Sequence, residues 1–292
     1  MNKGARKLLI GLIGAGIQRS LTPAMQEEEA RHHGLALHYQ LIDLERTSEG
    51  AAALPALLAA ARTMGFAGLN ITFPCKQAVI PLLDGLSDEA RAMGAVNTVV
   101  FRQDGNVVRA IGHNTDGSGW AWGFRRALPQ ARLDRVVLLG AGGAGSAIAH
   151  ALLRLGAGHL AIVDSDTERA TALAWQLNDL YGAERVSGGT DAAAALAGAT
   201  GLVHATPTGM DKLPGLPLPE SLLRADLWVS EIVYFPLETA LLKAARRIGC
   251  ATADGGHMAV GQAFGAFELF TGETPDAARM DAHFRRLVTQ AR

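Results

Sequence analysis

The chain of 292 residues has little of what marks secreted, membrane-spanning or nucleic-acid-binding proteins. It holds two cysteines, Cys75 and Cys250, far apart in the sequence. Two thiols cannot staple a scaffold of this size, so both are expected to be reduced. No apolar run reaches the ~18 residues that a spanning helix needs. The opening MNKGARKLLIGLIGAG starts basic and turns apolar, as a secretory leader does, but its run is short and breaks at Gly14 and Gly16. A buried strand entering a turn fits it better. The formal net charge is −1 with both signs spread along the chain, which excludes a basic face for nucleic acid and a polybasic membrane patch. No cluster of Cys, His or carboxylates has ligand spacing, so no metal is expected. Internal repeats and low-complexity linkers are missing as well. These absences predict a cytoplasmic protein with neither nucleic acid nor membrane as partner, whose function resides in a site for a small molecule.

What is present is core-forming material: 49% of the residues are apolar and 19% are charged. Strand-like apolar runs alternate with helical patterns from end to end, which argues for an α/β architecture with parallel sheets. KLLIGLIG (7–14), LHYQLIDL (37–44) and AGLNITFP (67–74) read as strands. Between the first two, a helix starts at Thr22–Pro23, with Thr22 as its expected cap. The Ala/Leu-rich stretch 50–63 is a helix that ends near Gly65. VNTVVFRQD (96–104) and VVRAIGHN (107–114) flank Gly105-Asn106 and form an expected hairpin. A second unit begins near residue 117. There RVVLL, HLAIVDSD (159–166), GLVHATP (201–207), LWVSEIVY (227–234) and CATADG (250–255) are strands, TERATALAWQLNDLYG (167–182) and ETALLKAARRIG (238–249) are helices, and 258–292 is helical.

Gly140, Gly142 and Gly145 stand in Gly-x-Gly-x-x-Gly spacing, directly after one of these strands and directly before a helix. In that context the first glycine permits a tight turn, the second lets backbone approach a pyrophosphate, and the third allows close helix–strand packing. The helix N-terminus offers unpaired N–H groups to phosphates. Asp164 closes the second strand of this unit, where an acid accepts hydrogen bonds from ribose hydroxyls. An NADP site would need a cation there. Asp164-Ser165-Asp166 instead supplies two carboxylates, with Arg169 one turn into the next helix as the nearby counterweight, so the expected cofactor is NAD. Asp166 and Thr167 also read as the cap of that helix.

A dehydrogenase acting on a hydroxyl needs a group that takes the proton as the hydride leaves. Lys76, just past an apolar strand and a Pro-Cys corner, is a candidate for a partly desolvated amine suited to that transfer. Asp116, after Gly-His-Asn-Thr, is a candidate partner. On the residues alone, Lys76 also reads as a surface lysine opening a helix and Asp116 as a helix cap, and spacing does not choose between these.

Several ordered motifs choose more sharply. They are Ser20-Leu21-Thr22-Pro23, Asn70-Ile71-Thr72-Phe73-Pro74-Cys75-Lys76, Gly94-Ala95-Val96-Asn97-Thr98 and Gly112-His113-Asn114-Thr115-Asp116-Gly117. After the Gly-rich turn come Ala205-Thr206-Pro207-Thr208-Gly209-Met210, Ile232-Val233-Tyr234 with Pro236, and Asp254-Gly255-Gly256-His257-Met258 with Gln262. In these the chain resembles the shikimate dehydrogenase family over essentially its whole length, and most nearly its NAD-dependent quinate/shikimate dehydrogenase branch. The resemblance implies an N-terminal α/β substrate domain (1–116, to which helices in 258–292 return) and a doubly wound Rossmann domain (117–257), with a cleft between them. It implies a catalytic pair, Lys76 and Asp116, and a substrate site of Ser20, Thr22, Thr72, Lys76, Asn97, Asp116, Tyr234 and Gln262. It places Gly140, Ala141, Gly142, Gly143, Ala144, Gly145, Asp164, Arg169, Thr206, Ile232, Gly255 and Met258 around NAD. Hydroxyls and amides that both donate and accept suit a small polyol acid.

The chain departs from the family pattern at a few positions. Thr22 stands where shikimate-specialised members carry a second Ser, which looks like the quinate-capable branch. His204 precedes Ala-Thr-Pro where many members have Asn, and is read as structural. Glu231 stands where the branch usually has Asp. Asp164-Ser165-Asp166 lacks the Asn-Arg-Thr pattern of NADP-using members. The expected activity is interconversion of shikimate and 3-dehydroshikimate, with quinate left open, by a monomer or homodimer. The alternatives are a dehydrogenase of an aminoshikimate-type ring and a non-catalytic NAD-binding regulator.

Overall fold

A computed structural model describes residues 6–182 and 184–290. They divide into two compact units, one formed by the chain up to Thr115 together with the chain from Ala263 onward, the other by Asp116–Gln262. The limits expected from the sequence lie after residues 116 and 257.

In the first unit the elements run β1 (Lys7–Gly14), α1 (Thr22–His32), β2 (Ala36–Asp43), α2 (Leu54–Thr63), β3 (Gly68–Ile71), α3 (Cys75–Ala78), β4 (Gly85–Leu86), α4 (Asp88–Met93), β5 (Thr98–Asp104) and β6 (Val107–His113). The strands form one sheet in the order β2-β1-β3-β5-β6-β4. Pairing is parallel among β1, β2 and β3, because helices carry each crossover. It is antiparallel at β3–β5 and β5–β6, where the tight turn at Gly105-Asn106 reverses the chain, so this sheet is mixed and not parallel throughout. Several readings of local structure change. Thr22 is the first residue of α1 and not its cap; the position before it is Leu21, and no side chain caps the helix. The third strand ends at Ile71, short of Pro74, because the chain turns into α3, with the Cys75 N–H donating to the Thr72 carbonyl at 2.8 Å. Cys75 and Cys250 are both free and buried, and burial pushes both thiols up, so they stay protonated at neutral pH.

The second unit runs α5 (Asp116–Ala127), β7 (Arg135–Leu139), α6 (Gly143–Arg154), β8 (His159–Val163), α7 (Thr167–Tyr181), β9 (Val186–Gly189), α8 (Ala192–Leu196), β10 (Gly201–His204), β11 (Trp228–Glu231), α9 (Ala240–Ile248) and β12 (Ala251–Ala253). The limit between the units falls inside α10 (Gly256–Thr271), and α11 (Ala277–Gln290) closes the described chain. Every pairing in this sheet is parallel, in the order β12-β11-β10-β7-β8-β9. Strand order reverses between β7 and β10, which opens the crevice where doubly wound sheets bind ligands. The strands are apolar on both faces: Val136, Leu138, Leu160 and Val203 lie in one core cluster, and Val137, Leu139, Leu202 and Val229 in the other. Among the described residues no helix is long and apolar enough to cross a membrane.

One buried carboxylate ties α11 to α1 within the first unit. Glu29, 1% exposed, accepts from Arg279 Nε at 2.8 Å and from Arg279 Nη2 at 2.5 Å, and also from the Asp276 N–H at 2.8 Å. Burial alone would raise this carboxyl, but the Arg279 and Asp276 bonds overcome it and hold Glu29 below the usual carboxylate range. Arg279→Met is expected to destabilise the protein by about 2 kcal/mol in urea unfolding at pH 7, less than for a fully buried pair because the Arg279 side chain is 30% exposed. An unchanged midpoint would show that the pair contributes nothing.

His150 of α6 is fully buried; its Nδ1 meets the Tyr181 hydroxyl at 3.1 Å, and its Nε2 has no partner. Burial, helped by Arg154, pulls the imidazole down to about 4. Between that value and the ordinary one near 6.5, the unfolded chain binds a proton that the folded chain refuses. Stability is therefore lost as pH falls through this window, by about 2–3 kcal/mol. Urea midpoints across pH 7 to 4 should show a steeper fall for the wild type than for His150→Leu, and equal slopes would contradict the assignment.

Candidate active site

Chemistry-bearing residues collect at the C-terminal edges of both sheets. In the first unit the Thr72 N–H donates to the Ile13 carbonyl at 2.9 Å, and the Ile71 N–H to the Asn97 carbonyl at 2.8 Å. The Val96 N–H donates to the Lys76 carbonyl at 2.8 Å. Thr72, Lys76 and Asn97 are thereby brought to one edge of the sheet. The Asn97 side chain is buried: its Oδ1 accepts the Thr115 N–H at 2.8 Å and the Thr98 hydroxyl at 2.9 Å, while its Nδ2 donates to Thr115 Oγ1 at 3.0 Å. Asn70 continues the chain of bonds, donating to Thr98 Oγ1 at 3.0 Å and accepting from the Tyr39 hydroxyl at 2.7 Å. Lys76 and Thr72 are half-buried, so each keeps part of its side chain available to a ligand.

The loop bearing Ser20 and Thr22 is held from β2. Asp43 accepts the Gly16 N–H at 3.0 Å, the Gln18 amide at 3.0 Å and the Glu45 N–H at 3.1 Å. Ser20 Oγ accepts the Thr22 N–H at 3.3 Å, which sets the two hydroxyl-bearing residues side by side. Asp43 is not among the residues expected at the site; an acid at the end of a strand is the available signal.

In the second unit Asp116 is the buried first residue of α5, and Tyr234 follows β11. Gln262 lies in α10, whose backbone approaches α5 so closely that a Cβ on Gly119 would meet the Gln262 nitrogen at 2.3 Å. Glycine is obligatory there. Ser20, Thr22, Thr72, Lys76 and Asn97 thus belong to the first unit, and Asp116, Tyr234 and Gln262 to the second.

The Gly-rich turn is built as its spacing predicts. Gly140 has φ +101°, and a Cβ on Gly145 would sit 2.0 Å from the Gly140 carbonyl oxygen. Gly142 and Gly143 face open space, so the backbone at the start of α6 is free to receive a phosphate group. The Ala141 N–H donates to Asp164 Oδ2 at 2.7 Å, and the Asp166 N–H to Asp164 Oδ1 at 3.0 Å. Burial would raise the Asp164 carboxyl, but those bonds and Arg169 hold it below the usual range, so it is ionised at neutral pH. Arg169 Nη2 lies 3.4 Å from Asp166, and its Nη1 lies 4.0 Å from Asp164. Asp166 caps α7 by accepting the Arg169 N–H at 3.1 Å. Thr206, Ile232 and Gly255 follow β10, β11 and β12, and Met258 packs against the core below them. These residues fit a nicotinamide dinucleotide.

His204 and Glu231, two of the positions that depart from the expected pattern, prove to be partners. His204 Nδ1 lies 2.9 Å from Glu231 Oε1, and both side chains are fully buried. Nothing in their spacing along the chain reveals this; parallel register sets His204 opposite Glu231.

Comparison with known proteins bears on the family of the whole chain. The profile of the shikimate dehydrogenase substrate binding domain matches residues 12–99, and that of the ThiF family matches 124–177. The shikimate dehydrogenase (NADP(+)) of Streptomyces avermitilis is 57% identical over 285 residues, covering 97% of each chain. The quinate/shikimate dehydrogenase (NAD(+)) of Corynebacterium glutamicum (strain R) is 49% identical over 283 residues, covering 96% of this chain and 99% of its own. The solved structure of quinate dehydrogenase from Corynebacterium glutamicum in complex with NAD superposes with a TM-score of 0.91 at 48% identity, covering 96% of this chain and 99% of that one. With relatives so similar over nearly its full length, this chain belongs to the shikimate dehydrogenase family.

Proposed function

We propose that the chain is an NAD-dependent dehydrogenase that interconverts shikimate and 3-dehydroshikimate, with quinate and 3-dehydroquinate as a second candidate pair. The observation that carries the reading is the gathering of Thr72, Lys76 and Asn97 on one sheet edge, beside the loop that presents Ser20 and Thr22. That set offers an amine, an amide and hydroxyls to a polyhydroxylated ring. Relatives named for shikimate and for quinate both support a cyclic hydroxy acid.

Bound nicotinamide supplies the hydride acceptor, held by the 140–145 turn, Asp164, Arg169, Thr206, Ile232, Gly255 and Met258. Lys76 Nζ takes the proton of the reacting hydroxyl, and Asp116 steadies the resulting ammonium and passes the proton on to solvent. Ser20, Thr22, Thr72, Asn97, Tyr234 and Gln262 hold the carboxylate and the remaining hydroxyls. A site of this kind rejects analogues that lack a hydroxyl, because its polar groups would then be left unpaired.

Cofactor choice rests on charge. Relatives carry both NADP(+) and NAD(+) in their names. In this chain an ionised Asp164 stands at the end of β8 with Asp166 beside it, and Arg169 is engaged with both carboxylates. A 2′-phosphate placed there meets repulsion on the order of 1–3 kcal/mol, roughly ten- to a hundredfold in affinity.

Lys76→Ala is expected to lower kcat by about 10²–10⁴ while the NAD dissociation constant stays within about twofold. Stopped-flow turnover and fluorescence titration with NADH separate the two, and a variant that turns over normally would remove Lys76 from proton transfer. Steady-state kinetics with shikimate and quinate against NAD and NADP should favour NAD by about tenfold or more in kcat/KM. The Asp164→Ala/Ser165→Arg variant is expected to move that ratio toward NADP. Equal use of both nucleotides by the wild type would defeat the carboxylate argument.

A further inference from the structure

Beneath the loops that follow β10 and β11 lies a closed hydrogen-bond chain, Thr239–Glu231–His204–Thr206. Glu231 Oε1 accepts the Ile232 and Val233 N–H groups, each at 2.9 Å, and Oε2 accepts the Thr239 hydroxyl at 3.0 Å. Thr239 Oγ1 itself accepts the Leu242 N–H at 3.3 Å, so its proton is committed to Glu231. Both oxygens of Glu231 therefore act as acceptors, and His204 Nδ1, at 2.9 and 3.0 Å from them, must donate. In a neutral imidazole a single proton sits on one ring nitrogen and the other nitrogen accepts. With that proton on Nδ1, His204 Nε2 is a bare acceptor, and the Thr206 hydroxyl, 2.5 Å away, donates to it.

The consequence falls on Thr206. Its proton is spent on His204 and one lone pair takes the Thr208 N–H at 3.3 Å, which leaves a single free lone pair and no proton to offer. Thr206 also stands against the Gly-rich turn: a Cβ on Gly140 would meet Thr206 Cγ2 at 3.0 Å and the Ala205 carbonyl oxygen at 2.7 Å. We propose that Glu231 and His204 are positioning residues that fix the Thr206 hydroxyl as a pure hydrogen-bond acceptor, matched to a donor on the bound nicotinamide nucleotide, a ribose hydroxyl or the carboxamide N–H. This deepens the proposed function and rests on its placing the nucleotide at the 140–145 turn. The same carboxylate fixes the backbone of 232 and 233, so one buried acid orders both loops that follow the central strands.

Glu231→Gln tests the polarity of the chain. The Gln carbonyl oxygen, standing for Oε1, can still accept the Ile232 and Val233 N–H groups, while its amide replaces Oε2 with a donor 3.0 Å from His204 Nδ1, which favours a ring whose Nδ1 accepts. The ring then carries its proton on Nε2 and donates to Thr206, whose own proton turns outward against the donor of the ligand. Nitrogen-15 NMR of the histidine ring at pH 8 should show the proton on Nδ1 in the wild type and on Nε2 in Glu231→Gln. The NADH dissociation constant of the variant, by calorimetry, should rise about tenfold, the loss of one hydrogen bond. A second measurement needs only the wild type, should the variant not fold. Adding NADH should shift the His204 Nε2 resonance, and adding shikimate alone should leave it in place. A wild-type ring protonated on Nε2, an unchanged dissociation constant in a variant whose tautomer has flipped, or a resonance blind to NADH would each overturn the proposal. Absence of any nucleotide binding by the wild type would instead overturn the functional reading beneath it.

Discussion

Parallel strands leave the backbone without ladder partners where they end, and the functional loops start at those ends. Each unpaired N–H there must find an acceptor or bear a cost of about 1–3 kcal/mol. In this protein the acceptor is repeatedly a short acidic or amide side chain at the strand edge. Asp43 takes the Gly16 and Glu45 N–H groups, Asn97 takes that of Thr115, Asp164 takes those of Ala141 and Asp166, and Glu231 takes those of Ile232 and Val233. Asp254 does the same for Gly256 at the start of α10. Loop order in both sheets depends on this arrangement. A site made of loops needs its backbone fixed before its side chains can be selective.

The second constraint is steric. The 140–145 turn, α5 and α10 approach neighbouring backbone more closely than any Cβ permits: Gly145 against the Gly140 carbonyl, Gly119 against Gln262, and Gly261 against the Gly119 carbonyl at 2.1 Å. These contacts set Gln262 and Asp116 on helices that touch each other, and they seat the loop after β10 against the nucleotide turn. Acceptors hold the loops in conformation, and glycines set their distance. Together they explain why polar side chains of modest size can present a defined array of donors and acceptors.

Much of the candidate site is legible in the order of residues along the chain. Gly140, Gly142 and Gly145 announce the turn because their spacing falls between a strand and a helix, and Asp164 follows the next strand at the place where a ribose would lie. The motifs around Ser20, Thr72, Lys76, Asn97 and Asp116 carry the family resemblance, and the matching family profile and relatives agree with it. What escapes is the pairing of residues distant in the chain. His204 reads as a structural histidine and Glu231 as a lone departure, since 27 residues separate them and only the parallel register of β10 and β11 sets them face to face. Asp43 escapes for the same reason, its partners at Gly16 and Gln18 lying across the β1–β2 pairing.

The amino-acid sequence by itself determined the α/β class, the alternation of strands and helices, the hairpin at Gly105-Asn106 and the nucleotide turn, because each is written in local periodicity and in residues with special backbone demands. It also carried the charge at 164–166, since ionisable side chains announce themselves wherever they stand. Only tertiary structure decided the mixed order of the first sheet, the early end of β3, the tie from Glu29 to Arg279, and the hydrogen-bond chain from Thr239 to Thr206. Those depend on strand order and register, which are settled by the packing of whole elements around a core and leave no mark on any short stretch of chain.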